Sequence, residues 1–306
     1  MAEDAFLVID KPAGLTSQQV VGRIKRLLKC RKVGHTGTLD PLATGVLPIA
    51  CNRATRLIRF LDESRKVYSG EIELGVESDT LDRDGTVVAR HPGRLTFDRS
   101  AIAEVFAGFL GEITQVPPLY SAIKSRGKPL YAYARAGIEV EIPERRVEIY
   151  SFELLSCELP KVAFRVVCSK GTYVRSLAAE AGRKLGCGGR IWSLRREASG
   201  PFTLDRAVSL ETLEELVAAG REIPWQAPLT VLDHLPRLIL SDPELAVMVA
   251  HGRSLPLDRL TPAGPGTESI AGEPVALVDP AGQLLAIAAR DLDRGELRLL
   301  RVMVSG

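Results

Sequence analysis

Residues 34–50 read GHTGTLDPLATGVLPIA, a stretch rich in glycine and threonine that becomes apolar towards its end. The glycines permit positive φ angles and the close approach of another backbone, which is typical of a tight, shaped loop. Asp40 precedes Pro41, and this order biases Asp40 towards an extended backbone. Residues 46–51 are apolar enough to form a buried strand or turn that anchors the loop in the core. The stretch therefore presents Asp40 as a candidate catalytic carboxylate.

Other interpretations of this loop compete with a catalytic one. An Asp before Pro is commonly an ordinary turn former whose side chain caps its own backbone. A phosphate-binding loop is disfavoured because nothing here fits the pattern G-x-x-x-x-G-K-S/T. A metal site is also disfavoured, since His35 and Asp40 have no second His or Cys nearby in the sequence. The pattern alone leaves the catalytic and the turn-forming roles of Asp40 open.

The same stretch carries a family resemblance. GHTGTLDPLATGVL resembles the catalytic motif of the TruB family of pseudouridine synthases, and further similar motifs extend from about residue 10 to residue 203. The resemblance implies that Asp40 is the nucleophile. It also implies that His35 lies beside Asp40 and fills the space vacated when the target base flips out. A core or turn-capping role for His35 remains equally compatible with the sequence.

The composition indicates a protein with a substantial core and no membrane segment. A chain of 306 residues with 45% hydrophobic residues suggests one large and one small domain. No apolar run reaches membrane length, and residues 1–10 lack a signal peptide's basic and long apolar regions. The five cysteines are scattered without a C-x-x-C pair, which favours reduced thiols and argues against zinc. The cysteine pattern leads us to expect a cytoplasmic protein.

The formal net charge of +2 conceals two strongly basic segments. Residues 1–60 carry 10 Lys and Arg against 4 Asp and Glu, and residues 161–196 carry 9 against 1. This asymmetry favours a polyanionic partner, with nucleic acid as the leading choice. Within the first segment, six basic residues follow one another without an acid: Arg23, Lys25, Arg26, Lys29, Arg31 and Lys32. They form either a solvated helix face or a phosphate-binding edge, and the second hypothesis assigns Lys29 and Lys32 to RNA.

The residues before this basic run predict a strand, a turn and a helix. Residues 6–9 are apolar, and Thr16 with Gln19 forms a capping-box pattern ahead of an amphipathic helix. The intervening letters DKPAGLTS resemble the first motif of the family. The resemblance implies that Lys11 supports the active-site loop, so that its part in substrate binding is structural.

Tyr68 lies in a segment with strand periodicity. It shares one face with Ile72 and Leu74, and a buried Tyr is usually structural. However, the pattern K-x-Y-x-G-x-x-x-L-G resembles the family motif whose Tyr stacks on the target base, which would place Tyr68 in the pocket. The following residues 78–85 (SDTLDRDG) predict an acidic turn that is too short for a calcium-binding EF-hand and lacks its terminal Glu.

Residues 115–137 read QVPPLYSAIKSRGKPLYAYARAG and combine prolines, basic residues and tyrosines. This mixture makes a poor core helix, but it suits an adaptable surface that binds stacked bases and phosphates. The segment resembles the part of stand-alone bacterial members of the family that clamps over tRNA. We therefore predict an RNA clamp over residues 115–146, with RNA contacts from Lys124, Arg126 and Lys128. A complete clamp argues against a guide-RNA-dependent member of the family.

Arg175 is a cation in an unfavourable place. Residues 162–168 alternate as a strand that leads into a helix, and Arg175 falls in the first turn of that helix, where the macrodipole disfavours positive charge. Ala178 and Ala179 supply no acid one turn later. We expect a carboxylate partner from another element, with Asp40 as the natural candidate. KGTYVRSL matches the family motif whose Arg pairs with the catalytic Asp, and the LRR motif implies that Leu194 packs against the target base.

The C-terminal part has a different character. A short helix over residues 209–220 and a Pro-containing linker over 223–228 precede a second helix at 243–251. Three strand-like runs follow, with a hairpin pattern at residues 279–282. The arrangement is similar to the small β-barrel of the PUA type that ends many family members and binds RNA.

These observations predict a two-domain α/β (α+β) protein. Residues 1–228 should form a pseudouridine synthase domain with a mixed, mainly antiparallel sheet and a catalytic cleft, and residues 229–306 a PUA-like domain. The resemblance implies isomerisation of a T-loop uridine of tRNA to pseudouridine, with the tRNA T-arm as partner. It implies no cofactor, no metal and no obligatory protein partner. The alternatives are a guide-RNA-dependent rRNA enzyme of the same family and a non-catalytic RNA-binding factor that assists tRNA folding.

Overall fold

A computed structural model describes residues 3–62, 65–121, 123–260 and 272–304. The helices are α1 (Ser17–Leu27), α2 (Arg99–Ala107), α3 (Leu130–Ala136), α4 (Val174–Lys184), α5 (Leu210–Ala218), α6 (Pro228–Val231) and α7 (Pro243–Ala250). The strands are β1 (Phe6–Lys11), β2 (Val33–His35), β3 (Thr44–Cys51), β4 (Arg65–Leu74), β5 (Val76–Ser78), β6 (Val87–Arg90), β7 (Gly111–Gln115), β8 (Lys124–Ser125), β9 (Lys128–Pro129), β10 (Arg145–Glu158), β11 (Lys161–Ser169), β12 (Gly189–Ser199), β13 (Phe202–Thr203), β14 (Ala207–Val208), β15 (Arg237–Ile239), β16 (Leu255–Pro256), β17 (Pro274–Val278), β18 (Leu284–Asp291) and β19 (Glu296–Val302). None of these helices is long and apolar enough to cross a membrane.

The central sheet has the strand order β14-β1-β3-β12-β4-β11-β10-β7, with β2 paired to β3 and β13 to β12. Among the described strand pairs of this sheet, only β1–β14 and β3–β12 are parallel, so the predicted mixed, mainly antiparallel sheet is confirmed. In the β3–β12 pair, Arg196 lies opposite Gly45. This pairing brings the end of the residue 34–50 stretch against the LRR motif.

Helix α1 begins with the predicted capping box. The Thr16 hydroxyl accepts the Gln19 N–H at 3.1 Å, and the Gln19 carboxamide accepts the Thr16 N–H at 2.8 Å. The helix buries its apolar face, including Val20 and Ile24. The six basic residues of 23–32 are all exposed, because they occupy the opposite face and the turn that follows.

The C-terminal sheet has the order β15-β17-β18-β19-β16, and α7 packs against it. The predicted barrel-like domain is thus present as five strands whose order, within the described residues, follows an open path. The domain prediction for 229–306 includes residues 261–271 and 305–306, which lie outside the described residues. The division of the chain at residue 228 stays a prediction.

A shared hydrophobic cluster joins the two sheets. Phe6, Val8 and Val46 of the central sheet pack in one cluster with Ile287 and Met303 of the C-terminal part. All five side chains are at least nine-tenths buried. The C-terminal sheet therefore covers an apolar edge of the central one.

The predicted linker is an ordered part of the structure. Phe6 and Gln226 exchange two backbone hydrogen bonds of 2.9 and 2.8 Å. Ile223 and Trp225 also pack against the main core. The prolines of this segment suggested a linker, but the large apolar side chains of Ile223 and Trp225 pack against the core and hold the segment beside β1.

Gly45 offers a test of this framework. Its φ is +96°, and a Cβ there would lie 2.2 Å from the Arg196 carbonyl oxygen. We expect Gly45→Ala to lower the free energy of unfolding by about 3 kcal/mol or more, because backbone strain and a backbone clash add. Gly111→Ala is the matched control, since Gly111 has a φ of +88° but an open space around its Cβ position. That control should cost only about 1–2 kcal/mol. Equal losses in denaturant titrations of the two variants would contradict the predicted clash.

Candidate active site

The Asp40 loop spans residues 36–43, between β2 and β3. These two strands pair antiparallel, with His35 opposite Ile49, so the loop connects two neighbouring strands of the sheet. Ser17, at the start of α1, fixes the residue before Asp40: its hydroxyl accepts the Leu39 N–H at 2.8 Å and donates to the Leu39 carbonyl at 3.1 Å. The loop backbone is thus held from outside, and the Asp40 side chain is available for other contacts.

Two buried cations, Lys11 and Arg196, bind backbone carbonyls of the Asp40 loop. The Lys11 ammonium is fully buried and donates to the carbonyls of Pro12 (2.9 Å), Leu15 (2.7 Å) and Pro41 (3.3 Å). Burial lowers the pKa of Lys11 to about 8, although the nearby Asp40 carboxylate opposes the shift. Lys11 is thus bonded to the residue that follows Asp40, and its supporting role stays a prediction.

Arg196 is the second cation and was not predicted as a site residue. Its guanidinium is 1% exposed and donates to the carbonyls of Val46 (2.7 Å), Gly37 (3.1 Å) and Thr38 (3.4 Å). The LRR motif pointed to Leu194, but the last Arg of that motif organises both ends of the Asp40 loop. An Arg at an inward-facing strand position was the signal that could have revealed it, since a buried cation requires partners.

Arg175 and Asp40 form the ion pair that the sequence suggested. The Arg175 Nη2 donates to Asp40 Oδ1 at 3.1 Å, and Nε lies 2.8 Å from Oδ2, without the alignment of a second hydrogen bond. The Arg175 side chain is 4% exposed and the Asp40 side chain 33%. The carboxylate is therefore oriented by a buried cation and still open to a ligand.

A second carboxylate faces the same guanidinium. The Asp82 Oδ2 lies 3.7 Å from Arg175 Nη1, and Asp82 accepts hydrogen bonds from the Thr80 hydroxyl and the Asp84 N–H. Burial raises the pKa of Asp82, while Thr80 and Arg175 act in the opposite direction. The sequence analysis treated residues 78–85 only as an acidic turn. Two features could have revealed Asp82. Thr80 and Leu81 interrupt the acidic run, and Arg175 lacks an acid one turn later in its own helix.

A cavity of about 310 Å³ opens beside the ion pair. Its walls include Asp40, Arg175, Tyr68, Leu194 and Tyr173, together with Lys66, Thr172 and Arg196. Tyr68 on β4 and Leu194 on β12 are both buried. In the antiparallel register Leu194 lies opposite Gly70, two residues from Tyr68. Burial raises the pKa of Tyr68, so its phenol is protonated at neutral pH. The cavity combines apolar faces with one oriented carboxylate and has the volume of a small-ligand site.

A larger cavity, of about 610 Å³, contains none of the predicted site residues and is lined in part by Phe109, Leu119, Ser176 and Arg183. The smaller cavity is the candidate active site because the Asp40–Arg175 pair lies in its wall.

The remaining predicted residues lie outside the cavity wall. His35 ends β2, one residue before Thr36, which does line the cavity. Lys29 and Lys32 are exposed in the turn after α1. Lys124, Arg126 and Lys128 are exposed on the β8–β9 hairpin. Within the described ranges, no cluster of His, Cys, Asp and Glu could hold a metal ion.

Family models match most of the chain. The model described as TruB family pseudouridylate synthase (N terminal domain) matches residues 25–174. The model described as tRNA pseudouridylate synthase B C-terminal domain matches residues 175–240. The boundary between the two models falls at Arg175, inside the central-sheet domain.

Curated relatives are similar over nearly the full length. The tRNA pseudouridine synthase B of Geobacter sulfurreducens is 44% identical over 98% of this chain and 99% of its own length. That of Aromatoleum aromaticum is 49% identical over 82% of this chain and 81% of its own.

Solved structures agree with the fold. The chain matches a structure titled as a Cbf5-Nop10-Gar1 complex with a TM-score of 0.71 and 29% identity, over 99% of this chain and 84% of that one. A structure of an H/ACA RNP bound to a substrate RNA containing 2'-deoxyuridine matches with a TM-score of 0.71 and 28% identity, over 98% of this chain and 84% of that one. Sequence, fold and motifs agree, and the chain belongs to the TruB family of pseudouridylate synthases.

Proposed function

We propose that this protein isomerises a T-loop uridine of tRNA to pseudouridine. The observation that carries the proposal is the Asp40–Arg175 ion pair, which points an oriented carboxylate into a cavity faced by Tyr68 and Leu194. The curated relatives are named tRNA pseudouridine synthase B, and this supports tRNA as the substrate. We accordingly propose that the protein acts in the cytoplasm.

The proposed reaction breaks the N1–C1′ glycosidic bond, turns the uracil and forms a C5–C1′ bond. N1 gains a proton and C5 loses one, so the conversion is redox-neutral and requires no redox cofactor. Asp40 acts as the nucleophile or as a base: attack on ribose C1′, attack on uracil C6 and removal of a ribose proton are three routes open to its carboxylate. Each route requires direct contact between the carboxylate and the nucleotide, and this is compatible with the exposure of Asp40.

We assign the residues that face the cavity to contacts with the target uracil. A uridine stacked in an RNA loop must flip out before a carboxylate at the wall of a cavity can reach it. In our proposal Tyr68 stacks on the flipped uracil and Leu194 packs against it, while His35 fills the vacated position in the RNA. Lys11 contributes by holding the loop, because its buried ammonium has no surface left for RNA.

The RNA is held outside the pocket. Lys29 and Lys32 bind the phosphate backbone, and residues 115–146 clamp the T-arm through Lys124, Arg126 and Lys128. Residues 1–228 form the catalytic domain, and residues 229–306 add a PUA-like RNA-binding surface.

Two alternatives are less well supported. The solved relatives include Cbf5 in complexes with Nop10 and Gar1, which raises the question of a guide-RNA-dependent enzyme. The clamp segment and the higher identity to tRNA pseudouridine synthase B argue for a stand-alone tRNA enzyme. A purely RNA-binding folding factor would not require an oriented carboxylate in the pocket.

Asp40→Asn tests the chemistry. The substitution keeps size but removes charge and nucleophilicity, so tritium release from tRNA labelled at uridine C5 should fall at least about 1,000-fold. Affinity for tRNA should stay within about threefold, because Asp40 is not a phosphate ligand. Substantial residual turnover would remove Asp40 from the proposed role.

Arg175→Met tests the ion pair. We expect the single-turnover rate to fall about 100- to 1,000-fold, with a much smaller loss of tRNA affinity, because the partner of Arg175 is Asp40. Arg175→Lys should give an intermediate rate, since it retains a charge but not the planar fork. A loss confined to salt-dependent binding would instead assign Arg175 to the RNA-binding surface.

The double variant Lys29→Ala/Lys32→Ala tests the basic surface. Each lost phosphate contact should reduce the slope of log affinity against log salt by roughly one unit or slightly less. The rate at saturating protein should stay nearly unchanged, because neither side chain lines the cavity. The matched control is Arg90→Ala/Arg94→Ala, which removes two exposed cations outside the proposed RNA surface. An unchanged slope in a salt series would make 23–32 a solvated helix face.

A further inference from the structure

The predicted clamp begins at a buried glutamine, Gln115, which is hydrogen-bonded to the residue before α4. Gln115 ends β7 and is 6% exposed. Its carboxamide oxygen accepts the Tyr173 N–H at 2.7 Å, and its Nε2 donates to the Tyr173 carbonyl at 3.1 Å. One side chain thus pairs with both backbone polar groups of the residue that precedes α4. Arg175 lies two residues further along.

Helix α4 needs this external support because its own sequence does not fix its start. Tyr173 makes no side-chain capping bond, and the first turn contains no acid. Arg175 adds a positive charge at the positive end of the helix dipole. In a helix of this kind, the position of the first turn is set by whatever binds it from outside.

The same part of the clamp makes two more contacts with the start of α4. The Ser176 hydroxyl donates to the Val116 carbonyl at 2.9 Å. Arg175 Nη2 donates to the Tyr120 carbonyl at 3.0 Å as well as to Asp40. Residues 115–120, which we call the clamp root, therefore contact α4 on both sides of Arg175.

We propose that Gln115 is a positioning residue for Arg175 and couples the clamp to the catalytic ion pair. The inference rests on the proposed function, in which the Asp40–Arg175 pair carries catalysis. Gln115 lines the larger cavity but not the 310 Å³ cavity that holds Asp40, and it acts by holding Tyr173 so that the guanidinium meets the Asp40 carboxylate in a fixed orientation. Because Gln115 is also the first residue of the clamp, a shift of the clamp root is transmitted to α4 through these bonds.

The test is the substitution Gln115→Leu in the full-length protein. Small displacements of a reacting group can reduce rates by about 100-fold. We expect a 10- to 100-fold loss of single-turnover rate on C5-tritiated tRNA, with tRNA affinity within about threefold of wild type. A residue that merely stabilises the fold would lower the melting temperature without this separation of rate from affinity.

Two further variants guard against a folding artefact. Gln226→Leu is a matched control: Gln226 is 7% exposed, but its side-chain oxygen has no hydrogen-bond partner among the described residues, so this variant should keep the wild-type rate. Gln115→Glu is nearly isosteric and keeps the acceptor for the Tyr173 N–H, but turns an oxygen towards the Tyr173 carbonyl. It should show a rate loss of the same kind if Gln115→Leu fails to fold.

A double-mutant comparison identifies the route of the effect. If Gln115 acts through Arg175, the rate loss caused by Gln115→Leu should shrink to less than about threefold in an Arg175→Lys background. Equal losses in both backgrounds, or a wild-type rate in Gln115→Leu and Gln115→Glu, would overturn the inference. Failure of the proposed function would appear differently, as the absence of tritium release from C5-labelled tRNA with the wild-type protein itself.

Discussion

The structure depends on the neutralisation of one buried guanidinium. Burying a charge without partners costs far more free energy than a folded domain can spare, so a buried Arg dictates its surroundings. Arg175 is 4% exposed and meets two carboxylates and two backbone carbonyls. These groups come from the Asp40 loop, from the residue 78–85 turn and from the clamp root. A single cation therefore requires three segments distant in sequence to converge on α4.

The Asp40 loop is held through its backbone, and this frees its side chain. Lys11 and Arg196 bind loop carbonyls, and Ser17 binds the backbone of Leu39. An Asp before Pro would otherwise cap its own turn, which is the ordinary alternative for this sequence. Because Lys11, Arg196 and Ser17 bind the loop backbone, the Asp40 carboxylate is left to pair with Arg175 and to face the cavity. The parallel β3–β12 pair is the basis of this arrangement, because it places Arg196 directly beside Gly45.

Much of this could be predicted from the sequence, because the signals were local or conspicuous. Strand alternation and the capping box predicted the elements around the site, and a cation in the first turn of a helix indicated a missing carboxylate. Asp82 and Arg196 were not predicted, because their partners are 93 and 150 residues away and leave no periodic pattern. The segment at 223–228 was interpreted as a linker because proline is read locally, whereas its pairing with β1 is decided by tertiary packing.

The cluster shared by the two sheets has a consequence for the chain as a unit. Phe6, Val8 and Val46 are buried against side chains that follow residue 229, including Ile287 and Met303. A chain cut at the predicted boundary would bring this apolar surface into water, at roughly 25 cal/mol for each Å² exposed. Each half would lack part of this shared hydrophobic cluster, so we expect the two sheets to fold and unfold cooperatively. The C-terminal sheet is thus part of the scaffold that supports the Asp40 loop, and we expect its replacement by an unrelated domain to expose Phe6, Val8 and Val46.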